Sequence, residues 1–287
     1  MEVRTDPLTG AVVAVAASRQ ARPNQPVTGC PFCVGGLEAP EPYDVMAFPN
    51  RWPSFAEERC EVVLYAPEHD ATFWSIGVDA ALKVVDLWAE RSAALGSRDD
   101  IAYVLVFENR GAAVGATIPH PHGQIYAYDA VPPAPADELA RAEASGTCPL
   151  CAEDPGDRLV SESGGWRAWV PRASMYPYGL VVAPIDHEPD LPSLSSESRL
   201  GLAEVLVDVL HRLDGLWDAP MPYMLWFHQR PFAAGGWPMA HLHLEIAVPL
   251  RAPGVQRYVA AGELGSGLFV NPVVPEAAAR ALREVRW

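Results

Sequence analysis

The chain has 287 residues, 49% hydrophobic and 20% charged, and its 36 acidic against 21 basic side chains give a formal charge of -15. That length allows a substantial core in one large or two ordinary domains. The acidic excess argues against general nucleic-acid binding, which needs a basic face. No run of about 18 apolar residues offers a membrane span, and the start Met1-Glu2-Val3-Arg4-Thr5-Asp6 lacks the basic and apolar parts of a secretory signal, so a cytoplasmic protein is expected.

In chain order, Asp6-Pro7-Leu8-Thr9-Gly10 reads as a turn before a strand over 11–15, and Pro23 keeps the stretch carrying Arg19 and Arg22 extended. Cys30-Pro31-Phe32-Cys33 follows, then a loop through Asn50-Arg51-Trp52-Pro53 and a strand over 60–65 in which Cys60 is expected to be a buried thiol. Leu82, Val85, Leu87 and Trp88 lie at helical spacing and predict an amphipathic helix over 78–95. A strand over 100–107, a glycine-punctuated loop over 108–115 and the stretch Pro119-His120-Pro121-His122-Gly123-Gln124 come next, the last entering an alternating run that reads as a strand. Residues two apart on an extended backbone share a face, which pairs His120 with His122. Pro121 stiffens the segment, Gly123 admits a close backbone approach, and the Gln124 amide can donate to an anionic oxygen. This is the layout of a nucleophile beside an anion-stabilising group.

The second half repeats the order of the first. Cys148-Pro149-Leu150-Cys151 is followed by strands over 166–170 and 179–184, then His187, a helix over 195–213, a strand over 223–227 and a strand containing His241-Leu242-His243-Leu244-Glu245. Cys33 to His69 spans 36 positions, as does Cys151 to His187; His69 to His120 spans 51, and His187 to His241 spans 54. The chain is therefore expected to be two copies of one α+β unit, residues 1–140 and 141–287. In a cytoplasmic chain such Cys-x-x-Cys pairs favour metal over a redox or disulfide role. The repeat then assigns Cys30, Cys33, His69 and His120 to one tetrahedral zinc site, and Cys148, Cys151, His187 and His241 to a second. With His120 on metal, His122 stays off it. The second copy has Leu244-Glu245 where the first has Gly123-Gln124, so one chemical centre per chain is expected, with His243 lining a pocket or binding metal.

A neutral imidazole is a competent nucleophile toward phosphorus, and the charge that builds needs donors. Gln124, the backbone amides over 111–115 and Arg19 or Arg22 are the candidates. The segment 119–124, preceded by Phe107-Glu108-Asn109-Arg110-Gly111, resembles the active-site signature of the galactose-1-phosphate uridylyltransferase family, in the histidine-triad superfamily. The similarity runs through Arg19 and Arg22 at one end and through His228, His241, His243 and the tail over 258–272 at the other. It implies a duplicated α+β fold with mainly antiparallel sheet and flanking helices, usually homodimeric. It also implies a ping-pong reaction of galactose metabolism: His122 takes UMP from a UDP-sugar as a covalent intermediate, Gln124 holds the phosphoryl group, and a sugar 1-phosphate accepts it. Asn50, Asn109, Gly115, Thr117, Arg19 and Arg22 match nucleotide-contacting positions, and Arg257 lies in the sugar-phosphate region. Some relatives hold a second metal through positions matching Glu138, His228, His241 and His243; the matched cysteine spacing favours the cysteine set here. Arg51-Trp52 and Arg257-Tyr258 depart from the family pattern, which leaves base and sugar preference open. The alternatives are an ADP-sugar or dinucleotide phosphorylase with an adenylyl-histidine, a nucleotide hydrolase of the same superfamily, and a zinc-stabilised binding module without catalysis.

Overall fold

The computed structural model describes residues 2–16, 29–55, 58–217 and 219–287. An exposed hairpin of β1 (Glu2–Thr5) and β2 (Val12–Val15) opens the chain. The first half continues through β3 (Met46–Pro49), β4 (Cys60–Leu64), α1 (Gly77–Gly96), β5 (Tyr103–Arg110) and β6 (His122–Tyr128). After α2 (Pro133–Ser145) and α3 (Pro149–Ala152) come β7 (Leu159–Ser163), β8 (Trp166–Trp169), β9 (Leu180–Pro184), α4 (Ser196–Gly215), β10 (Tyr223–His228) and β11 (His243–Ala247). A small hairpin, β12 (Leu250–Ala252) with β13 (Val255–Gln256), and the helices α5 (Ala261–Ser266) and α6 (Pro275–Glu284) complete the chain.

The main sheet has nine strands in the order β3-β4-β6-β5-β10-β11-β9-β8-β7, and every pairing in it is antiparallel. Read outward from the β5–β10 junction, the order is β5-β6-β4-β3 on one side and β10-β11-β9-β8 on the other. The sequence repeat is thus a repeat of topology, and the ladder from Tyr223↔Arg110 to Trp226↔Phe107 joins its two copies edge to edge. This is the mixed, largely antiparallel α+β architecture expected from the sequence.

One layer of helices covers one face of the sheet. α1 buries Ala81, Val84, Val85, Trp88, Ala89, Ser92 and Leu95, the three-and-four spacing that puts side chains on a single stripe. α4 does the same with Leu202, Val205, Leu206, Val209, Leu210 and Leu213; its N-terminus is capped by Ser195, whose Oγ accepts from the Ser198 N–H at 3.1 Å. α1 and α4 pack on each other over the middle of the sheet. Each fully buried Val or Leu contributes about 1.5–3 kcal/mol of apolar transfer, so this face dominates the stability of the fold. Trp88 stacks on Phe73 at 5.5 Å and lies edge-on to Tyr65 at 5.7 Å.

The strand periodicity decides where chemistry is possible. Along β6, Gly123, Ile125 and Ala127 are buried toward the helices, while His122, Gln124 and Tyr126 alternate to the other, half-open face. Two elements that bear on the candidate site differ from the sequence expectation. β5 runs on to Arg110, so Glu108 and Asn109 are strand residues and the loop begins at Gly111; pairing with β10 of the other copy supplies the ladder that extends it. α2 is an additional helix, started by prolines near its N-terminus and ended by Gly146 at φ +69°.

Candidate functional site

His122 stands at the first residue of β6, opposite Leu64 of β4. Its Nδ1 donates to the His120 carbonyl at 2.7 Å, so in the neutral ring Nε2 carries the lone pair. The Phe32 ring of the first knuckle lies 5.1 Å from it. Two residues on, Gln124 pairs across to Val62 and Phe107, and its Oε1 accepts from Asn50 Nδ2 at 3.3 Å. That contact commits the Gln124 carbonyl and leaves the amide N–H2 end as the donor toward the His122 side of the strand. Asn109 at the end of β5, Gly111 and Pro119 to His122 line a cavity of about 30 Å³. The turn after Gly111 closes at Gly115, φ +82°, a conformation that favours glycine, and half-buried Thr117 leads from it to Pro119. Five of the expected substrate positions, Asn50, Asn109, Gly115, Thr117 and Gln124, thus lie on the segments that surround His122.

Three further positions behave differently. Arg19 and Arg22 lie outside the described residues. Arg257 is near the site by backbone, since the neighbouring Gln256 donates to the Ala113 carbonyl at 3.2 Å. Its guanidinium, however, is turned inward: it is ion-paired with Glu263, lies over the Tyr176 ring at 5.8 Å and the Phe269 ring at 6.0 Å, and its side chain is 3% exposed.

Gly123 is required by close approach. A Cβ built there would run into the Tyr65 hydroxyl and lie 3.1 Å from the Phe107 carbonyl. Tyr65 cannot swing aside, because Phe73 and Trp88 hold its ring edge-on. Gly123→Ala is expected to destabilise the fold by about 1–3 kcal/mol, as overpacking does, and to displace His122; a urea midpoint equal to that of the parent would contradict this.

Among the described residues three groups of side chains have the geometry to hold a metal ion, the ligand atoms within each lying within 4.8 Å of one another. In the first, Cys33 Sγ is 3.4 Å from His69 Nδ1 and 3.7 Å from His120 Nδ1, and Cys30 completes the set. His120 is 1% exposed; its Nε2 donates to the Ala66 carbonyl at 2.8 Å and meets the Tyr43 hydroxyl at 2.8 Å. These contacts fix the tautomer and aim Nδ1 at the cysteines. In the second, Cys148 Sγ and Cys151 Sγ lie 3.3 and 3.4 Å from His241 Nδ1, and Cys151 Sγ lies 3.2 Å from His187 Nδ1. Here His241 Nε2 donates to the Pro184 carbonyl at 3.1 Å. Ala66 and Pro184 each stand three residues before the cluster's other histidine, so the repeat preserves even the partner that orients the ligand. Burial, then the neighbouring His187, pulls His241 down to about 4, and burial lowers His120 as well; both rings are neutral and able to ligate near pH 7.

The third group is Glu138, His228, His243 and Glu245. His228 Nδ1 donates to Glu138 Oε2 at 2.8 Å, and His243 Nε2 lies 3.6 Å from the same carboxylate. His228 and His243 are cross-strand partners. His241, which the resemblance could have put with them, is grouped with the cysteines instead, and Glu245 stands in the fourth place. Sequence reasoning missed Glu245 because it was weighed only as the residue standing where the first copy has Gln124. His243 repeats the posture of His122, its Nδ1 donating to the His241 carbonyl at 2.9 Å, yet its Nε2 faces the carboxylate that α2 delivers. α2 therefore occupies, in the second copy, the approach that stays accessible in the first. Beside this cluster is a cavity of about 230 Å³ lined by Glu138, Leu139, Cys148, His228, Met239 and His243, among others.

An antiparallel sheet made of two like halves, with a His-x-His strand in each and a Gly-Gln pair after only one, defines a duplicated α+β protein with a single histidine centre. The family models for the N-terminal and C-terminal domains of galactose-1-phosphate uridyl transferase match residues 39–132 and 151–286. The chain is 38% identical to a galactose-1-phosphate uridylyltransferase of Thermotoga maritima over 99% of this chain and 98% of that one. It is 35% identical to one of Streptomyces lividans over 99% and 87%. A solved uridylyltransferase structure superposes with a TM-score of 0.87 at 31% identity, covering 99% of this chain and 98% of the other. An ADP-glucose phosphorylase from Arabidopsis thaliana with bound ADP-glucose gives 0.80 at 25% identity, covering 100% and 99%. The chain belongs to the galactose-1-phosphate uridylyltransferase family.

Proposed function

We propose that the chain is a hexose-1-phosphate uridylyltransferase that moves UMP from a UDP-hexose to a hexose 1-phosphate, with His122 as the carrier. The observation that carries this reading is the His122–Gln124 pair: an imidazole whose Nδ1 is engaged by a carbonyl at 2.7 Å, with an amide donor two residues along the same strand face. In the first half-reaction Nε2 of His122 attacks the α-phosphorus; an N–P bond forms, the bond to the bridging oxygen breaks, and hexose 1-phosphate leaves. The proton stays on Nδ1, donated to the His120 carbonyl, which keeps the ring in one orientation throughout. Gln124 stabilises charge on a non-bridging oxygen, and Asn50 fixes the amide for that task. In the second half-reaction a sugar-phosphate oxygen attacks, and the N–P bond breaks. Asn109, Gly115 and Thr117 are proposed nucleotide contacts, Arg19 and Arg22 the cations that an acidic chain needs at a phosphate, and Arg257 a support of the segment beside the sugar phosphate, since its guanidinium is committed to Glu263.

The first two clusters fit zinc. Their thiolate–imidazole separations of 3.2 to 3.7 Å bracket the edge of about 3.5 Å expected of a tetrahedral zinc with Zn–S near 2.3 Å and Zn–N near 2.0 Å. Cys30, Cys33, His69 and His120 would hold one ion, Cys148, Cys151, His187 and His241 the other, and the ions would tie each knuckle to its half of the sheet. The division into halves at residue 140 and a homodimeric state belong to the same reading. The exposed Val12, Val13, Tyr258, Leu264 and Leu268 are apolar surface a second copy could cover. Among the described residues no helix is long and apolar enough to cross a membrane, in keeping with a cytoplasmic enzyme.

The test is the intact mass of the protein after brief exposure to UDP-glucose and, separately, ADP-glucose. A UMP adduct from UDP-glucose, lost in His122→Ala, is expected. An AMP adduct in its place would move the protein to the ADP-sugar phosphorylase reading.

A further inference from the structure

We infer that Glu108 is a positioning residue for this reaction: buried, bonded to the Tyr223 hydroxyl and packed near Tyr65, it props the Gly123 backbone, and with it His122, from the core side of the sheet. The inference rests on the reading of His122 as the nucleophile. Glu108 is 5% exposed and points away from the face that carries Gln124, because its strand neighbour Phe107 is the residue paired with Gln124. Its Oε1 accepts from the Tyr223 hydroxyl at 2.8 Å. Its Oε2 is buried and, like the Tyr65 hydroxyl, makes no hydrogen bond of ordinary geometry among the described residues, yet the two groups are near enough for Tyr65 to favour the carboxylate.

Tyr65 is the connecting rod. Its backbone N–H donates to the Pro121 carbonyl at 3.2 Å, between the two histidines, and its hydroxyl fills the place of a Gly123 side chain. Tyr223 is steadied in turn by Arg110, 5.6 Å above its ring, whose fork is fixed on Asp214 at 2.6 and 2.9 Å. The titratable and charged groups that face Glu108 are Tyr65 from the end of β4, Tyr223 from β10 and Arg110 from its own strand. Burial outweighs them and raises Glu108 to about 7. Below that pH the buried carboxyl is protonated and can donate as well as accept, which a carboxylate cannot. A prop is needed because a misplacement of about 1 Å costs on the order of 10²-fold in rate.

Steady-state kinetics of UMP transfer from UDP-glucose to galactose 1-phosphate test this in wild type, Glu108→Ala, Glu108→Gln and Tyr65→Phe. Glu108→Ala is expected to lower kcat about tenfold or more with KM within about twofold, and Glu108→Gln, neutral and of the same shape, to restore kcat to within about threefold. Tyr65→Phe is expected to lower kcat in the wild type and to add little on top of Glu108→Ala. If Glu108→Ala does not fold, Tyr65→Phe decides alone: reduced kcat at unchanged KM supports the role, and wild-type kcat overturns it. There is a linked thermodynamic readout. The folded state keeps on Glu108 a proton that the unfolded chain releases between pH 4.5 and about 7, so this group's contribution to stability falls as pH rises through that window and stays low above it. The denaturant midpoint of Glu108→Gln should lack that component. A Glu108→Ala enzyme with wild-type kcat, a loss confined to KM, or a Glu108→Gln enzyme as impaired as Glu108→Ala would overturn the role while leaving the proposed function standing. A wild type that forms no nucleotidyl-histidine would overturn both.

Discussion

Replacing His122 by alanine is expected to reduce kcat on the order of 10³-fold or more, the scale seen when a covalent nucleophile is removed, while UDP-glucose still binds within a few-fold of the parent affinity. The asymmetry follows from the geometry. His122 enters β6 with Nδ1 tied to the His120 carbonyl, so the ring contributes an oriented Nε2 and little contact area, whereas Asn50, Asn109 and the turn over 111–115 remain in place without it. Turnover and calorimetric binding measured on one preparation separate the roles. If His122→Ala retained more than a tenth of the parent turnover, the covalent route would be refuted. If affinity fell as steeply as turnover, the residue would be a binding contact. The same pair of measurements distinguishes an enzyme from a nucleotide-binding module, which would lose nothing but the ring.

Removing metal from the first cluster, by chelation or by Cys30→Ser, is expected to lower the melting temperature by roughly 10 °C or more. A structural zinc contributes several kcal/mol, and a chain of this size loses about 2–4 °C per kcal/mol. The consequence reaches the active centre through covalent neighbours. His120 is a proposed ligand, Pro121 and His122 follow it, and Phe32 lies between Cys30 and Cys33 with its ring 5.1 Å from that of His122. Without the ion nothing would tie His120, 1% exposed and oriented by Ala66 and Tyr43, to the two cysteines. An unchanged melting curve in protein shown by elemental analysis to be metal-free would remove the structural role. The second cluster, with Cys151 exposed, is expected to respond to the same treatment at lower chelator concentration.

Much of this molecule was legible in one dimension. The helix predicted over 78–95 is Gly77–Gly96, and the one over 195–213 is Ser196–Gly215, because a single apolar stripe at 3.6-residue spacing needs only a sheet to lie on. The run His122-Gly123-Gln124 marked an imidazole with an amide donor close behind it in a strand before any strand partner was known. The equal 36-residue spacings grouped each knuckle with its histidines, since a repeat carries its contacts with it. The fold class followed from the same repeat.

What could not be read from the sequence depends on contacts between segments far apart in it. The extension of β5 through Glu108 and Asn109 comes from β10, more than a hundred residues away, whose backbone supplies the ladder. The third cluster exists because α2 carries Glu138 over the second His-x-His strand, and nothing local in a Pro-rich stretch announces where a helix will dock. The burial of Arg257 against Glu263, the role of Tyr43 behind His120, and the Tyr65–Glu108 pair behind Gly123 are likewise properties of packing. The sequence by itself determined which residues could do chemistry, because residue type and periodicity fix a side chain's reactivity and its face. Only the tertiary structure decided which histidines meet carboxylate and which carbonyls and hydroxyls orient each ring, because those choices are made by neighbours that the chain brings together only when it folds.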